Sequence, residues 1–165
     1  MELTREQLNF REGMSRMGAA VNLITSDGAA GRHGLIASAV CSVTDSPPTV
    51  LVCINRKAYA HDRFLQNGVL CVNVLVAHHQ ALSNVFARYV EGVDRFAHGD
   101  WITLATGSPV LSDANVALDC RIGSVLEQGT HSVMFCEVRA VHLASNPERG
   151  LVYFSRDYHQ LEPNR

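Results

Sequence analysis

The sequence has no pair of cysteines at CxxC or CxxxC spacing. Its five cysteines stand singly at 41, 53, 71, 120 and 136, inside apolar stretches where a free thiol behaves as a small hydrophobe. Neither a zinc cluster nor a redox dithiol is indicated. No basic tract occurs and the formal net charge is −2, which argues against a nucleic-acid surface. The longest apolar runs are only strand-length, so no membrane span is expected. The opening MELTREQLNFREGM is charged and lacks the apolar centre of a signal peptide, so the expected location is the cytoplasm. Common chemical motifs are missing too: there is no GxSxG elbow, P-loop, HExxH or paired-carboxylate motif. Gly28, Gly31 and Gly34 are spaced G-x-x-G-x-x-G and lead into a strand, not a helix. That context excludes a Rossmann dinucleotide site.

What is present suits one domain spanning residues 1–165. Hydrophobic residues make up 47% and charged residues 18%, a globular balance on the apolar side. An amphipathic helix is predicted over 4–17, with Thr4 and Gln7 as a capping box and Gly18 as its end. Strands are predicted over 21–26, 35–43, 50–54, 69–75, 116–126, 132–143 and 151–154. Short helices are expected over 60–66 and 79–87, while 89–106 reads as polar and irregular. Gln128-Gly129-Thr130 places His131 near a hairpin tip. The tail after 154 is polar, with Tyr158 and Leu161 as anchors. About six or seven mostly antiparallel strands with short helices favour a mainly β, α+β domain, a small barrel with peripheral helices, over a parallel α/β sheet.

The stretch over 34–55 carries the chemistry. Its first strand is rich in small residues, and strand alternation puts Ile36, Ser38, Val40 and Ser42 on one face, with Ala37, Ala39 and Cys41 on the other. Small side chains let a flat molecule approach the backbone; they equally let a strand pack tightly on its neighbour. A phosphate-bearing flat cofactor wants such a strand, an apolar wall (Val40, Ile54, Val74) and a cationic anchor. Arg56 and Lys57, just past the second strand, offer the anchor, with Ser83 at a helix start. Asn73 interrupts a buried strand and must be either a backbone staple or a ligand contact. The lack of an acid–base constellation is itself consistent with a bound cofactor carrying the reaction.

The runs Ala37-Ser-Ala-Val-Cys-Ser-Val-Thr-Asp-Ser-Pro-Pro48, Leu51-Val-Cys-Ile-Asn55 and Leu70-Cys-Val-Asn-Val-Leu75 resemble the short-chain flavin reductases of two-component flavin monooxygenases. Phe10-Arg-Glu-Gly-Met14, Arg95-Phe96, Gly129-Thr-His131 and Gly150-Leu-Val-Tyr-Phe154 extend the resemblance over nearly the whole chain. The reductase partner of 4-hydroxyphenylacetate 3-monooxygenase and the pyrimidine-utilisation flavin reductase belong to this family. The resemblance implies an FMN-binding split β-barrel, with FAD as the alternative flavin, working as a homodimer. NADH or NADPH would donate the hydride, and reduced flavin would pass to a separate monooxygenase. It further implies that Ser38, Ala39, Val40, Cys41 and Ser42 contact the flavin ring. Asn55, Arg56, Lys57 and Ser83, with Asn73 and Phe86, would lie towards the ribityl phosphate. His131 would orient the nicotinamide, with Tyr153 and Arg156 on the same side.

Other readings stay open at this point. Cob(II)yrinic acid a,c-diamide reduction occurs within the same family. A flavin- or haem-handling split barrel without turnover differs by failing to oxidise reduced nicotinamide. A pyridoxamine-phosphate oxidase-like enzyme would need a more basic phosphate cradle, and a non-catalytic interaction domain would leave the matched motifs without a role.

Overall fold

In the computed structural model, which describes residues 2–146 and 148–164, the first helix, α1, runs Arg5–Ser15. Thr4 and Gln7 form the expected capping box: the Gln7 N–H donates to Thr4 Oγ1 at 3.2 Å and the Thr4 N–H to Gln7 Oε1 at 2.9 Å. None of its residues is buried, and Leu8, Phe10 and Met14 are exposed.

Strands follow as β1 (Ala19–Ala20), β2 (Asn22–Ser26), β3 (His33–Ala37), β4 (Val40–Asp45) and β5 (Pro48–Asn55). Helix α2 (His61–Asn67) ends where Gly68 turns left-handed at φ 68°, as Asn67-Gly68 led us to expect. Then come β6 (Val69–Val74), a short 3-10 turn, α3 (Gln80–Phe86), β7 (Trp101–Thr103), β8 (Pro109–Leu111), β9 (Val116–Gln128), β10 (His131–Leu143), β11 (Gly150–Phe154) and β12 (Asp157–Leu161). The chain is mainly β with short helices. β9 and β10 form the expected hairpin, with His131 opposite Gln128 at its tip.

The principal sheet has seven strands in the order β3-β2-β6-β9-β10-β5-β4, all neighbours antiparallel. Its two edges, β3 and β4, are consecutive in the chain, separated by Ser38 and Ala39 alone. That link spans at most about 11 Å, so the sheet must curl until its edges approach. Three hydrogen bonds hold the corner. The Cys53 N–H donates to Ala39 O at 2.9 Å, the Val40 N–H to Ser38 O at 2.9 Å, and Asn22 Nδ2 to Ala37 O at 3.1 Å. The single strand predicted over 35–43 is therefore two strands on opposite edges. The unbroken alternation that put Ile36, Ser38, Val40 and Ser42 on one face does not survive the corner.

Curling gives the sheet an inner face to which all seven strands contribute. Ile24, Val52, Val72, Cys120 and Met134 are buried there, with Leu35 and Val40 packed against them from the two edges and Phe64 from α2. Alternation sends Leu23 and Val21 the other way, into a second cluster with Leu82, Phe86, Phe96, Leu111 and Leu151. With both faces covered, every residue of β2 is buried.

Other elements also differ from the sequence expectation. The 89–106 segment read as irregular contributes β7, which pairs with β8. The polar tail forms β12, which pairs with β11 around a two-residue turn. Ser155 (φ 52°) and Arg156 (φ 65°) both adopt the left-handed region that such a turn requires, though neither is glycine or asparagine. The Ser155 N–H donates to Ser15 O at 2.7 Å and Arg156 Nη2 to Glu12 Oε2 at 2.6 Å, tying the turn to the end of α1. Tyr158 packs on the second cluster as an anchor, but Leu161 is exposed and does not.

Gly34 on β3 is where α3 comes closest to the sheet. A Cβ there would stand 2.9 Å from Phe86 Cε1 and 3.3 Å from Ile24 O, one of them rigid backbone. Gly34→Ala is expected to destabilise the fold by about 1–3 kcal/mol through overpacking, measured by urea unfolding. Unchanged stability would show that Phe86 moves aside freely.

Candidate functional site

Two cavities lie along β3, and Ala87, just past α3, borders both. The first, about 290 Å³, is lined by Val21, Ile36, Ser38, Ala87, Tyr153 and Tyr158. Ser38 is exposed at the sheet corner. Tyr153 and Tyr158 meet edge to face with ring centroids 5.4 Å apart. The Tyr158 hydroxyl lies 2.8 Å from Ser83 Oγ, so the buried Ser83 reaches this cavity only through the tyrosine. The second cavity, about 230 Å³, is walled by Gly34, Leu35, Tyr59, Phe86, Tyr89 and Arg95, among others. Tyr59 and Tyr89 stack face to face at 3.5 Å.

A third cavity, about 540 Å³, opens at the β9–β10 tip, where Arg56, Lys57, Asp62, Glu127 and Gly129 line it. Arg56 is already engaged there: its Nη1 lies 3.2 Å from Glu127 Oε2 and 3.4 Å from Gly129 O. Asn55 accepts the Lys57 N–H at 2.9 Å, shaping the turn. His131, opposite Asn55 across the β5–β10 pair, is exposed, with Nδ1 2.9 Å from Thr130 Oγ1.

The comparisons with known proteins decide the family. The flavin reductase like domain matches residues 14–162. The chain belongs to the flavin reductase family. A relative from Acinetobacter baylyi named FMN reductase (NADH) RutF is 55% identical over 153 residues, 93% of this chain and 81% of that one. Its counterpart from Ancylobacter novellus is 55% identical over 160 residues, 96% and 86% of the two chains. Among solved structures, the NADH:FAD oxidoreductase SgcE6 of Streptomyces globisporus C-1027 superposes with a TM-score of 0.89 at 27% identity, covering 99% of each chain. BorF, the flavin reductase component of a bacterial two-component tryptophan halogenase, superposes with a TM-score of 0.87 at 25% identity, covering 95% of this chain and 99% of that one.

Within this flavin reductase-family chain, the sequence-predicted residues separate into groups. Ser38 and Tyr153 share a cavity, and Ala39 in the link and Cys41 and Ser42 on β4 are exposed but do not line it. Val40 and Ile54 belong to the inner core. Asn73 is a correction: it has no exposed surface and spends its amide inside the fold. Its Nδ2 donates to Leu23 O and Thr25 Oγ1, both at 3.0 Å, and its Oδ1 accepts the Leu111 N–H at 2.8 Å. Of the two readings open for a buried Asn, it is the backbone staple. Phe86 is likewise core, 1% exposed, and borders the second cavity. Ser83 does not line the cavity of Arg56 and Lys57. Arg156 is held by Glu12, whose carboxyl it keeps below the usual range, and His131 is not among the residues lining the Tyr153 cavity.

Two arrangements imitate other chemistry. His61 lies 2.9 Å from Ser132 Oγ and 2.6 Å from Asp62 Oδ1, a serine–histidine–aspartate chain. Ser132 is 1% exposed, so no substrate reaches it, and the chain clamps α2 to β10. Burial also pushes the Cys71 and Cys120 thiols up, and that of Cys136 to about 12, so none is a ready nucleophile.

The second is His78, His79 and Asp113, with ligand atoms within 4.8 Å. The tautomer speaks against a metal: His79 Nδ1 accepts the Val76 N–H at 3.2 Å, so in the neutral ring Nε2 carries the proton and faces Asp113 Oδ1 at 3.0 Å. His78 bridges Asp113 at 3.0 Å and Glu148 at 3.1 Å. The Asp113 hydrogen bond raises the His78 pKa, whereas burial lowers that of His79. A raised histidine pKa stabilises the fold below the ordinary value and loses that contribution as pH climbs through the folded-state value. His78→Ala should therefore lower Tm more at about pH 6 than at about pH 9. Equal losses at both would mean that the bridge is not charged in the folded protein.

Proposed function

We propose that this chain is an NADH-dependent FMN reductase that hands reduced flavin to a separate monooxygenase. The observation that carries the reading is whole-length similarity, at 55% identity, to proteins named FMN reductase (NADH). SgcE6, with the same fold, has been solved with NAD and FAD fragments, and BorF is the reductase component of a two-component system. The chain would act as one domain in the cytoplasm; among the described residues no helix is long and apolar enough to cross a membrane.

The arrangement of residues fits a flat, phosphate-bearing cofactor. The corner at Ser38 and Ala39 exposes backbone and a hydroxyl beside an open cavity, and a second, cationic cavity continues along β3. Flavin, when bound, would supply the redox chemistry as the acceptor of a hydride from reduced nicotinamide. The protein's part is geometric: Ser38, Ala39, Cys41 and Ser42, with the backbone of Val40, would flank the ring, and Tyr153 and Tyr158 would wall the same cavity. Holding two flat partners in near-attack geometry accounts for most of what such a site must do, with N–H donors from the corner stabilising negative charge on the ring.

We read the curled sheet as a split β-barrel that works as a homodimer. β4 is an edge strand, and β9 beyond Arg121 has no β6 residue beside it. Val43, Val125 and Leu126 are exposed on these edges, surface that a second copy would cover. A partner's β9–β10 tip would then bring His131 to a ring site that its own chain does not reach.

The test is NADH oxidation under air with FMN, FAD or no added flavin. Oxidation that rises and saturates with FMN is expected, and Ser38→Trp, at an exposed corner, should abolish flavin binding while leaving Tm largely unchanged. No oxidation with either flavin would refute the reductase, and normal flavin titration of Ser38→Trp would refute the ring placement.

A further inference from the structure

The turn between β6 and α3 carries a hydrogen bond that acid removes. His79 is 4% exposed at the end of the 3-10 turn Ala77–His79. Its Nδ1 accepts the Val76 N–H at 3.2 Å. Its Nε2, 3.0 Å from Asp113 Oδ1, is out of hydrogen-bond alignment. Among the described residues the Val76 N–H is thus the ring's one aligned partner. A histidinium carries N–H donors on both nitrogens. Protonation would set Nδ1–H against the Val76 N–H, donor against donor, where water does not relieve the conflict.

Two walls of the Ser38 cavity root in this turn. Val76 bridges Gly150, and the Ala77 N–H donates to Arg149 O at 2.8 Å, which seats the start of β11. β11 carries Tyr153, and its hairpin partner β12 carries Tyr158. α3 begins at Gln80, the residue after His79, and its Ser83 lies 2.8 Å from the Tyr158 hydroxyl. Tyr153 and Tyr158 both line the cavity.

The groups that face His79 offer the charged ring no vacant partner. Asp113, from the turn after β8, is shared with His78, whose Nε2 lies 3.0 Å from Oδ2. The Asp113 hydrogen bond raises the His78 pKa, so His78 takes its proton first, and its ring centroid is 4.1 Å from that of His79. Glu148, ahead of β11, is spent on the other nitrogen of His78 at 3.1 Å. A second cation would lie beside the first. Burial holds the His79 pKa below its ordinary value. A turn that opens and wets the ring restores that value, about 6.5. The open form then binds the proton more readily than the closed one and gains population as pH falls below about 6.5.

We propose that His79 is an acid-sensitive pin of the flavin site: a proton taken from solvent at Nδ1 breaks the Val76 hydrogen bond, frees the 76–79 turn and lets Tyr153 and Tyr158 leave the Ser38 cavity, which releases the flavin. The release rests on the flavin reading above; the opening of the turn does not.

The experiment titrates FMN into the wild type and into His79→Asn by flavin fluorescence at about pH 7.5 and about pH 5. Asparagine offers an acceptor oxygen and takes no proton, while the FMN phosphate titrates alike in both titrations. At about pH 7.5 the variant is expected to bind FMN within about twofold of the wild type. At about pH 5 the wild type should have lost about tenfold more affinity than the variant, because only its closed fraction binds. Hydrogen exchange reads the turn without ligand: at about pH 5 the Val76 and Ala77 amides should exchange about tenfold faster in the wild type than in His79→Asn. Equal losses of affinity, or equal exchange, would overturn the proposal. Should His79→Asn fail to fold, NMR of the wild type still decides. The His79 ring, the Val76 amide and the Tyr158 ring are expected to shift with one midpoint below about 6.5, and a His79 that titrates while Val76 and Tyr158 stay fixed would overturn it. A wild type that binds no FMN at either pH and oxidises no NADH would instead overturn the flavin reading, and the exchange rates would then judge the turn by themselves.

Discussion

The two-residue link between β3 and β4 is the constraint on which the rest of the molecule depends. Those strands are the outer edges of a seven-stranded sheet, yet they are joined by Ser38 and Ala39 alone. The sheet therefore curls, gaining an inner face that buries Ile24, Val52, Val72 and Met134 against Phe64. The same corner leaves a short piece of backbone that is neither β3 nor β4, open beside Tyr153 and Tyr158. The small residues of this stretch let two edges approach, and an open cavity lies beside them.

Much of this was legible in the sequence. The β9–β10 hairpin, the capped first helix and the Asn67-Gly68 stop follow from alternation and turn chemistry that act locally. The split of the 35–43 run was not legible, because its residues suit an extended chain equally well on one strand or two. What breaks it is distant: Cys53 and Asn22 each take a carbonyl at the corner. β12 was hidden for a related reason. Its turn places Ser155 and Arg156 at positive φ, held by Ser15 and Glu12 from α1, so the usual glycine or asparagine signal is missing.

The site shows the same division. Exposure at Ser38, Ala39, Cys41 and Ser42 agrees with the ring-facing reading of a small-residue strand. Charge was harder to read, since a sequence displays cations but not their partners. Arg56 and Lys57 stood out as a pair, and tertiary structure spends Arg56 on Glu127. Arg95, one residue of an Arg-Phe step in an irregular segment, is buried beside Phe86 and Tyr89, a setting that its sequence neighbours do not announce. Asn73 resolves in the opposite direction, its amide wholly consumed in joining β6 to β2 and β8.

The central claim is that a flavin ring binds at the corner between β3 and β4, and the most direct measurement is a crystal structure of the protein with FMN. The account expects the ring in the cavity of Ser38, Tyr153 and Tyr158, against the 38–42 stretch. A flavin ring bound away from the corner, with the Ser38 cavity left empty, would contradict it.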